Sequence, residues 1–145
     1  IPVCERGAMK QLVNAALLSV LLTACGGALK YDLRGTQLSP SSDAKLVANV
    51  DEGRNITQLD LRATNLTPAD RLLEGGTTYV VWQRRDSNTP WARLGALELA
   101  DEGRTGSAIL SVAETAFDLL VSVEQAPTVA SPSGKAVFEQ RVSKD

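Results

Sequence analysis

The chain has 145 residues and a mass of 15.4 kDa, the size of one domain, and its 43% hydrophobic and 22% charged residues are a globular composition, not a disordered one. It contains no histidine, which excludes Ser–His and Cys–His catalysis and histidine-ligated metals. A formal net charge of −2 gives no electrostatic basis for binding nucleic acid, and aromatics at 4% leave the core to Leu, Val, Ala and Ile.

The chain begins at Ile1, and Met9 is its single methionine. Residues 1–8 are therefore expected to lie upstream of the true start, with 9–24 forming an export signal. Met9-Lys10 supplies a short positive region. Residues 12–22 are apolar apart from Asn14 and Ser19. That run falls short of the roughly 20 residues a spanning helix needs and suits the apolar centre of a signal peptide. The sequence Leu22-Thr23-Ala24-Cys25 follows directly. It resembles the lipobox of bacterial lipoproteins, and the resemblance implies a diacylglyceryl group on the Cys25 thiol, cleavage after Ala24 and an acylated new amino terminus. Several acyl chains on one residue anchor stably where one chain holds marginally, at about 0.8 kcal/mol per buried methylene. The other reading is a buried or disulfide-bonded cysteine behind an ordinary signal. Cys4 falls upstream of the expected start, so no disulfide is expected. Gly26 stands where Asp would mark inner-membrane retention, so in an organism with two membranes the outer one is expected. Residues 25–29 make a tether of about 15 Å at most, which keeps the folded body near the bilayer.

Residues 30–145 are expected to form the folded domain. Period-2 segments alternate with turn signals, and strands are expected at 30–34, 45–50, 55–64, 78–85, 91–100, 107–112, 116–124 and 136–142. In the third, Leu59, Leu61 and Ala63 face one way and Gln58, Asp60 and Arg62 the other, the alternation of a half-buried antiparallel strand. In 116–124 the residues expected inside are Phe117, Leu119, Val121 and Val123. Between 65 and 76 the rhythm breaks. Thr67 suits a helix N-cap, Pro68 the first helical position, and Gly75-Gly76 a stop, so 69–74 should make one helical turn plugging an end of the core with Leu72 and Leu73. Seven to eight strands with regular turns predict an all-β antiparallel sandwich. Asp-Glu-Gly-Arg occurs at 51–54 and again at 101–104. Repeated hairpin chemistry, in which Gly accepts positive φ, accounts for both. Calcium binding is not expected, because no run of alternating Asp/Asn ligands is present.

Several segments in order, Thr78-Tyr79-Val80-Val81-Trp82, Gly95 within Leu94-Gly95-Ala96-Leu97, Gly106, Val121-Ser122-Val123-Glu124 and Pro132-Ser133-Gly134, carry a further likeness. Together they resemble the C-terminal extracytoplasmic domain of the anti-sigma-K factor family over about 67 residues. The resemblance implies an immunoglobulin-like fold located outside the cytoplasm. It does not transfer sigma regulation, since the family's sigma-binding segment and transmembrane helix have no counterpart here. The family's Glu-Pro is also replaced by Glu124-Gln125-Ala126-Pro127.

Trp82, among apolar neighbours, is expected in the core between the sheets, with Tyr79 on the opposite strand face from Val80 and Trp82. Trp91, after the 86–90 loop, is a candidate surface contact, although folding back over the strand edge is its commoner fate. Arg84 and Arg85 flank the same loop and suit an anionic partner or lipid headgroups, or simply protect a sheet edge. Glu124 is expected to point outward at a strand end, paired with an arginine. No Gly-x-Ser-x-Gly, phosphate loop, zinc spacing or dinucleotide fingerprint occurs, and nothing selects two acids for glycosidase chemistry. The sequence thus predicts a lipid-anchored, non-enzymatic envelope module that needs no cofactor or metal and binds a protein or cell-wall partner. The alternatives are a sensory accessory acting through a separate membrane partner and, third, a carboxylate-dependent enzyme.

Overall fold

A computed structural model describes residues 27–144. The expected signal segment, Cys25 and the start of the chain lie outside the described residues. Among the described residues nine strands form: β1 (Leu29–Arg34), β2 (Asp43–Asp51), β3 (Ile56–Thr64), β4 (Thr78–Arg84), β5 (Ala92–Ala96), β6 (Glu98–Ala100), β7 (Thr105–Val112), β8 (Phe117–Glu124) and β9 (Ala136–Val142). One short helix, α1 (Ala69–Leu72), lies between β3 and β4. The strands make two antiparallel sheets, β1-β2-β3-β7-β6 and β5-β4-β8-β9. With β2 to β9 lettered A, B, C, C′, D, E, F and G, the sheets become A-B-E-D and C′-C-F-G. This is the immunoglobulin-like Greek-key connectivity, extended by β1 at one edge.

The strand expected over 91–100 is two strands in different sheets. Leu97 is the crossing point: it is buried, and its N–H donates to Tyr79 O at 2.9 Å. Each half pairs with a different neighbour, β4 on one side and β7 on the other. Near the crossing, leucine side chains lie directly over two glycines. A Cβ on Gly106 would meet Leu97 Cδ1 at 2.9 Å, and one on Gly95 would meet Leu110 Cδ2 at 3.0 Å.

The alternation in β3 places Leu59, Leu61 and Ala63 inside, as expected. They pack with Leu46 from β2, Tyr79 and Val81 from β4, Phe117, Leu119 and Val121 from β8, and Phe138 from β9. Burying each large apolar side chain contributes about 1.5–3 kcal/mol. Trp82 is the correction. Successive side chains of a strand point to opposite faces, so Tyr79 and Val81 enter the space between the sheets while Val80 and Trp82 face away from it. Trp82 is nonetheless fully buried, in a second apolar cluster with Val80 and Leu120 beneath Trp91, Val129 and Ala136. Because both faces of β4 are covered, hydrophobicity alone could not say which one meets the other sheet. Burial pushes the Tyr79 phenol up to about 12, and its hydroxyl donates to Thr67 O.

The helical turn is shorter than expected and is not capped by Thr67. Pro68 takes the cap position with extended backbone and no side-chain cap bond. The Thr67 hydroxyl instead bonds Ser39 Oγ at 2.7 Å, within a cluster that includes Ser42. Leu72 and Leu73 do pack against one end of the core. The two Asp-Glu-Gly-Arg turns also differ. β2 and β3 close with Asp51 paired to Ile56, so the loop is 52–55 and Asn55 takes the positive φ, 57°. β6 and β7 close with Ala100 paired to Thr105, so the loop is 101–104 and Asp101, Glu102 and Gly103 are all left-handed. A one-residue shift of the tetrapeptide against the ladder changes which residues bear the strain, and Gly53 needs no positive φ.

Candidate functional site

The sandwich has two distinct ends. β1 begins at the near end, where Leu29 pairs with Ala48 and the 52–55 loop lies. The last strand finishes there too: the Tyr31 hydroxyl donates to Ser143 O at 3.1 Å and accepts from Ser143 N at 3.2 Å. Trp91, Arg84 and Arg85 also belong to this end. The far end carries the 35–42, 65–77, 101–104 and 125–135 loops, tied by Leu66 N to Arg104 O at 2.8 Å and Thr77 N to Glu124 O at 2.9 Å.

At the near end the structure brings Arg84 and Trp91 together. The Arg84 guanidinium carbon stands 4.2 Å from the Trp91 ring centroid, a cation–π arrangement. The Arg84 Nε donates to Asp118 Oδ2 at 3.0 Å, and Arg141 Nη1 donates to Asp118 Oδ1 at 3.1 Å. Arg141 Nη1 also reaches Arg85 O at 2.8 Å, and Arg85 Nε pairs with Glu114 Oε2 at 3.3 Å. The register explains the convergence: Arg84 pairs with Asp118 across β4 and β8, and Asp118 with Arg141 across β8 and β9, which stacks three charged residues in one row. Trp91 folds back over the strand edge, packed against the Val80–Trp82–Leu120 cluster with Arg84 over its ring.

A shallow cavity of about 290 Å³ opens beside this row, lined by Arg84, Trp91, Asp118, Leu119, Glu139, Gln140 and Arg141. Two carboxylates line it, but Asp118 spends both oxygens on guanidinium groups. What remains is a rim of mixed charge with an indole edge. Asp118 and Arg141 were not singled out by sequence. Asp118 is a charged residue near the start of an otherwise largely apolar strand, but alternation within one strand cannot show which cation stands across from it.

Glu124 does not join this group. It lies at the opposite end of β8, only 3% exposed, with no arginine in ion-pair range among the described residues. This overturns the expectation of an outward carboxylate. Its Oε2 accepts from Ser122 Oγ at 2.6 Å and from Ser133 N at 2.8 Å, and Ser122 Oγ accepts from Trp82 Nε1 at 2.9 Å. The cause is the 125–135 loop, which turns back over β8. Ser133 Oγ donates to Val123 O at 2.9 Å, and a bulge between Val121 and Ser122 re-aims the strand. A buried carboxylate must be hydrogen-bonded to be tolerated, and here a loop amide and a hydroxyl meet that need.

Among the described residues no cluster of acids or cysteines is arranged to hold a metal ion, and no helix is long and apolar enough to cross a membrane. No protein-family model matches the chain, and no curated protein or solved structure is significantly similar to it.

Proposed function

We propose that the chain is a lipid-anchored, non-catalytic β-sandwich module of the bacterial cell envelope, acting by binding a protein or cell-wall partner through its loops. The observation that carries the reading is Leu22-Thr23-Ala24-Cys25 placed directly after an apolar run that follows Met9-Lys10. Leu29 opens β1 only a few residues beyond Cys25, so acyl chains on that cysteine hold the near end within about 15 Å of the bilayer. On this reading Trp91, Arg84 and Arg85 face the headgroup layer, and the far-end loops are the ones a wall polymer or protein meets. The likeness to the anti-sigma-K extracytoplasmic domain is taken as shared architecture and location, not shared signalling. The non-catalytic part is supported by the commitment of Asp118 to two arginines and of Glu124 to a buried network.

The test is Cys25→Ser expressed in a bacterial host. The variant should leave the membrane fraction for the soluble one with an unchanged thermal midpoint. Retention in the membrane would overturn the anchor. Crosslinking in whole cells should then capture a partner through residues placed in the far-end loops, and capture solely through the near end would reverse the assignment of faces.

A further inference from the structure

The far end holds a second concavity, of about 380 Å³, whose polar lining comes from Ser41, Asn65, Thr67, Arg71 and Arg104. Its volume is within the range of small-molecule sites, about 300–1,000 Å³. Two cations line it, and no acidic side chain does among the described residues. Of the other described arginines, all but Arg34 are engaged. Arg54, Arg62, Arg84, Arg85 and Arg141 each pair with a carboxylate, and Arg93 donates to Val129 O. Among the described residues the guanidinium groups of Arg71 and Arg104, the Asn65 amide and the Ser41 hydroxyl have no protein hydrogen-bond partner. Four sets of unspent donors therefore share one cavity in a chain whose net charge is negative.

The walls are fixed by bonds that leave those donors free. Leu66 N donates to Arg104 O at 2.8 Å and Arg71 N to Pro68 O at 3.0 Å. Ser39 Oγ bonds both Ser42 Oγ and Thr67 Oγ1, and Ser42 Oγ donates to Asn65 O at 2.9 Å. Asn65 itself is held at φ 56°. A site whose frame is already ordered loses less entropy on binding, and a guanidinium matches the planar, two-oxygen edge of an oxyanion.

We propose that Arg71 and Arg104 form a binding site for an oxyanion, a phosphate, sulfate or carboxylate group carried on a soluble ligand of about sugar size. The volume exceeds what a bare ion fills, and Asn65 and Ser41 supply neutral donors for the hydroxyls of the rest. The preference for a soluble source rests on the anchor reading, because the cavity lies at the end opposite Leu29. The oxyanion chemistry does not.

The experiment titrates inorganic phosphate into the full chain in zwitterionic detergent, at constant ionic strength, while amide shifts are followed by NMR. Saturable shifts confined to 39–42, 65–71 and 101–105 are expected. In Arg71→Ala/Arg104→Ala the apparent affinity should fall by about tenfold or more, the loss of one charge-assisted hydrogen bond. Should the double variant unfold, Arg71→Gln and Arg104→Gln singly serve the same purpose, each weakening the response. Shifts that do not saturate, or that persist unchanged in the variants, would overturn the site. In a second arm, Cys25→Ser protein is sedimented with phosphatidylglycerol vesicles. No binding through Arg71 and Arg104 is expected, and binding lost in the double variant would overturn the soluble source. Failure of the anchor itself appears in the fractionation of Cys25→Ser and leaves the phosphate titration untouched.

Discussion

The two sheets share one interior but treat their outer faces in opposite ways. The five-stranded sheet turns Lys30, Asp32, Lys45, Gln58, Asp60, Arg62 and Ser111 to solvent, with ion pairs such as Lys45 Nζ to Asp32 Oδ1 at 2.9 Å and Arg62 Nε to Asp60 Oδ1 at 3.1 Å. Ile109 sits among them, 76% exposed. The four-stranded sheet hides its outer face beneath Trp91 and the 125–135 loop, over Val80, Trp82, Leu120 and the Ser122–Glu124 pair. One face is therefore solvated and tolerant, while the other is a second core whose polar groups must all be matched. The comparison teaches that position on a strand fixes which way a residue points, but the neighbouring loop decides whether that direction is wet.

Trp82→Ala should have the largest effect. It empties a buried site and removes the indole donor to Ser122 Oγ, and chemical denaturation should show a loss of about 3–5 kcal/mol. A loss below about 1 kcal/mol would mean that the second cluster is not a core. Glu124→Ala comes next. It leaves Ser133 N and Ser122 Oγ without their acceptor, at a cost of about 1–3 kcal/mol, and hydrogen exchange at Ser133 should quicken as the loop loosens. An unchanged exchange rate would show that the carboxylate does not hold the loop.

A smaller effect comes from Tyr79, whose folded phenol is pushed up to about 12 from an ordinary value of 10. Between those limits the unfolded chain binds fewer protons than the folded one, so stability falls as pH rises through that window and is unaffected below it. The thermal midpoint should therefore drop from pH 10 upward, and Tyr79→Phe should remove that part of the slope. Ile109→Thr, on the open face, is the smallest: a change within about 0.5 kcal/mol. A larger loss there would reveal a packed neighbour on a face described as bare.

The legible part of the fold was whatever depends on local alternation. β3 declared its faces through Leu59, Leu61 and Ala63, and the expected strand segments form except 91–100, which divides between the two sheets at Leu97. Trp82 was placed on the wrong side of β4 because Tyr79-Val80-Val81-Trp82 is apolar on both faces, so period 2 carries no information there. Glu124 was misjudged for a longer-range reason: the loop that buries it returns from Ser133, and no local pattern marks a returning loop. Trp91 and Arg84 were legible as neighbours of one loop, whereas Asp118 and Arg141 came into view through register across three strands. The Thr67 cap failed because Pro68, with extended backbone, takes the cap position itself, while the Thr67 hydroxyl turns to Ser39, far away in sequence.

The Tyr31–Ser143 contact closes the molecule head to tail. With the first and last strands meeting at one pole, a short linker from residue 144 to residue 27 should yield a circular permutant, reopened within the exposed 86–90 loop. A reporter fused beyond Lys144 would leave the fold beside the start of β1, with the opposite pole unencumbered for whatever docks there.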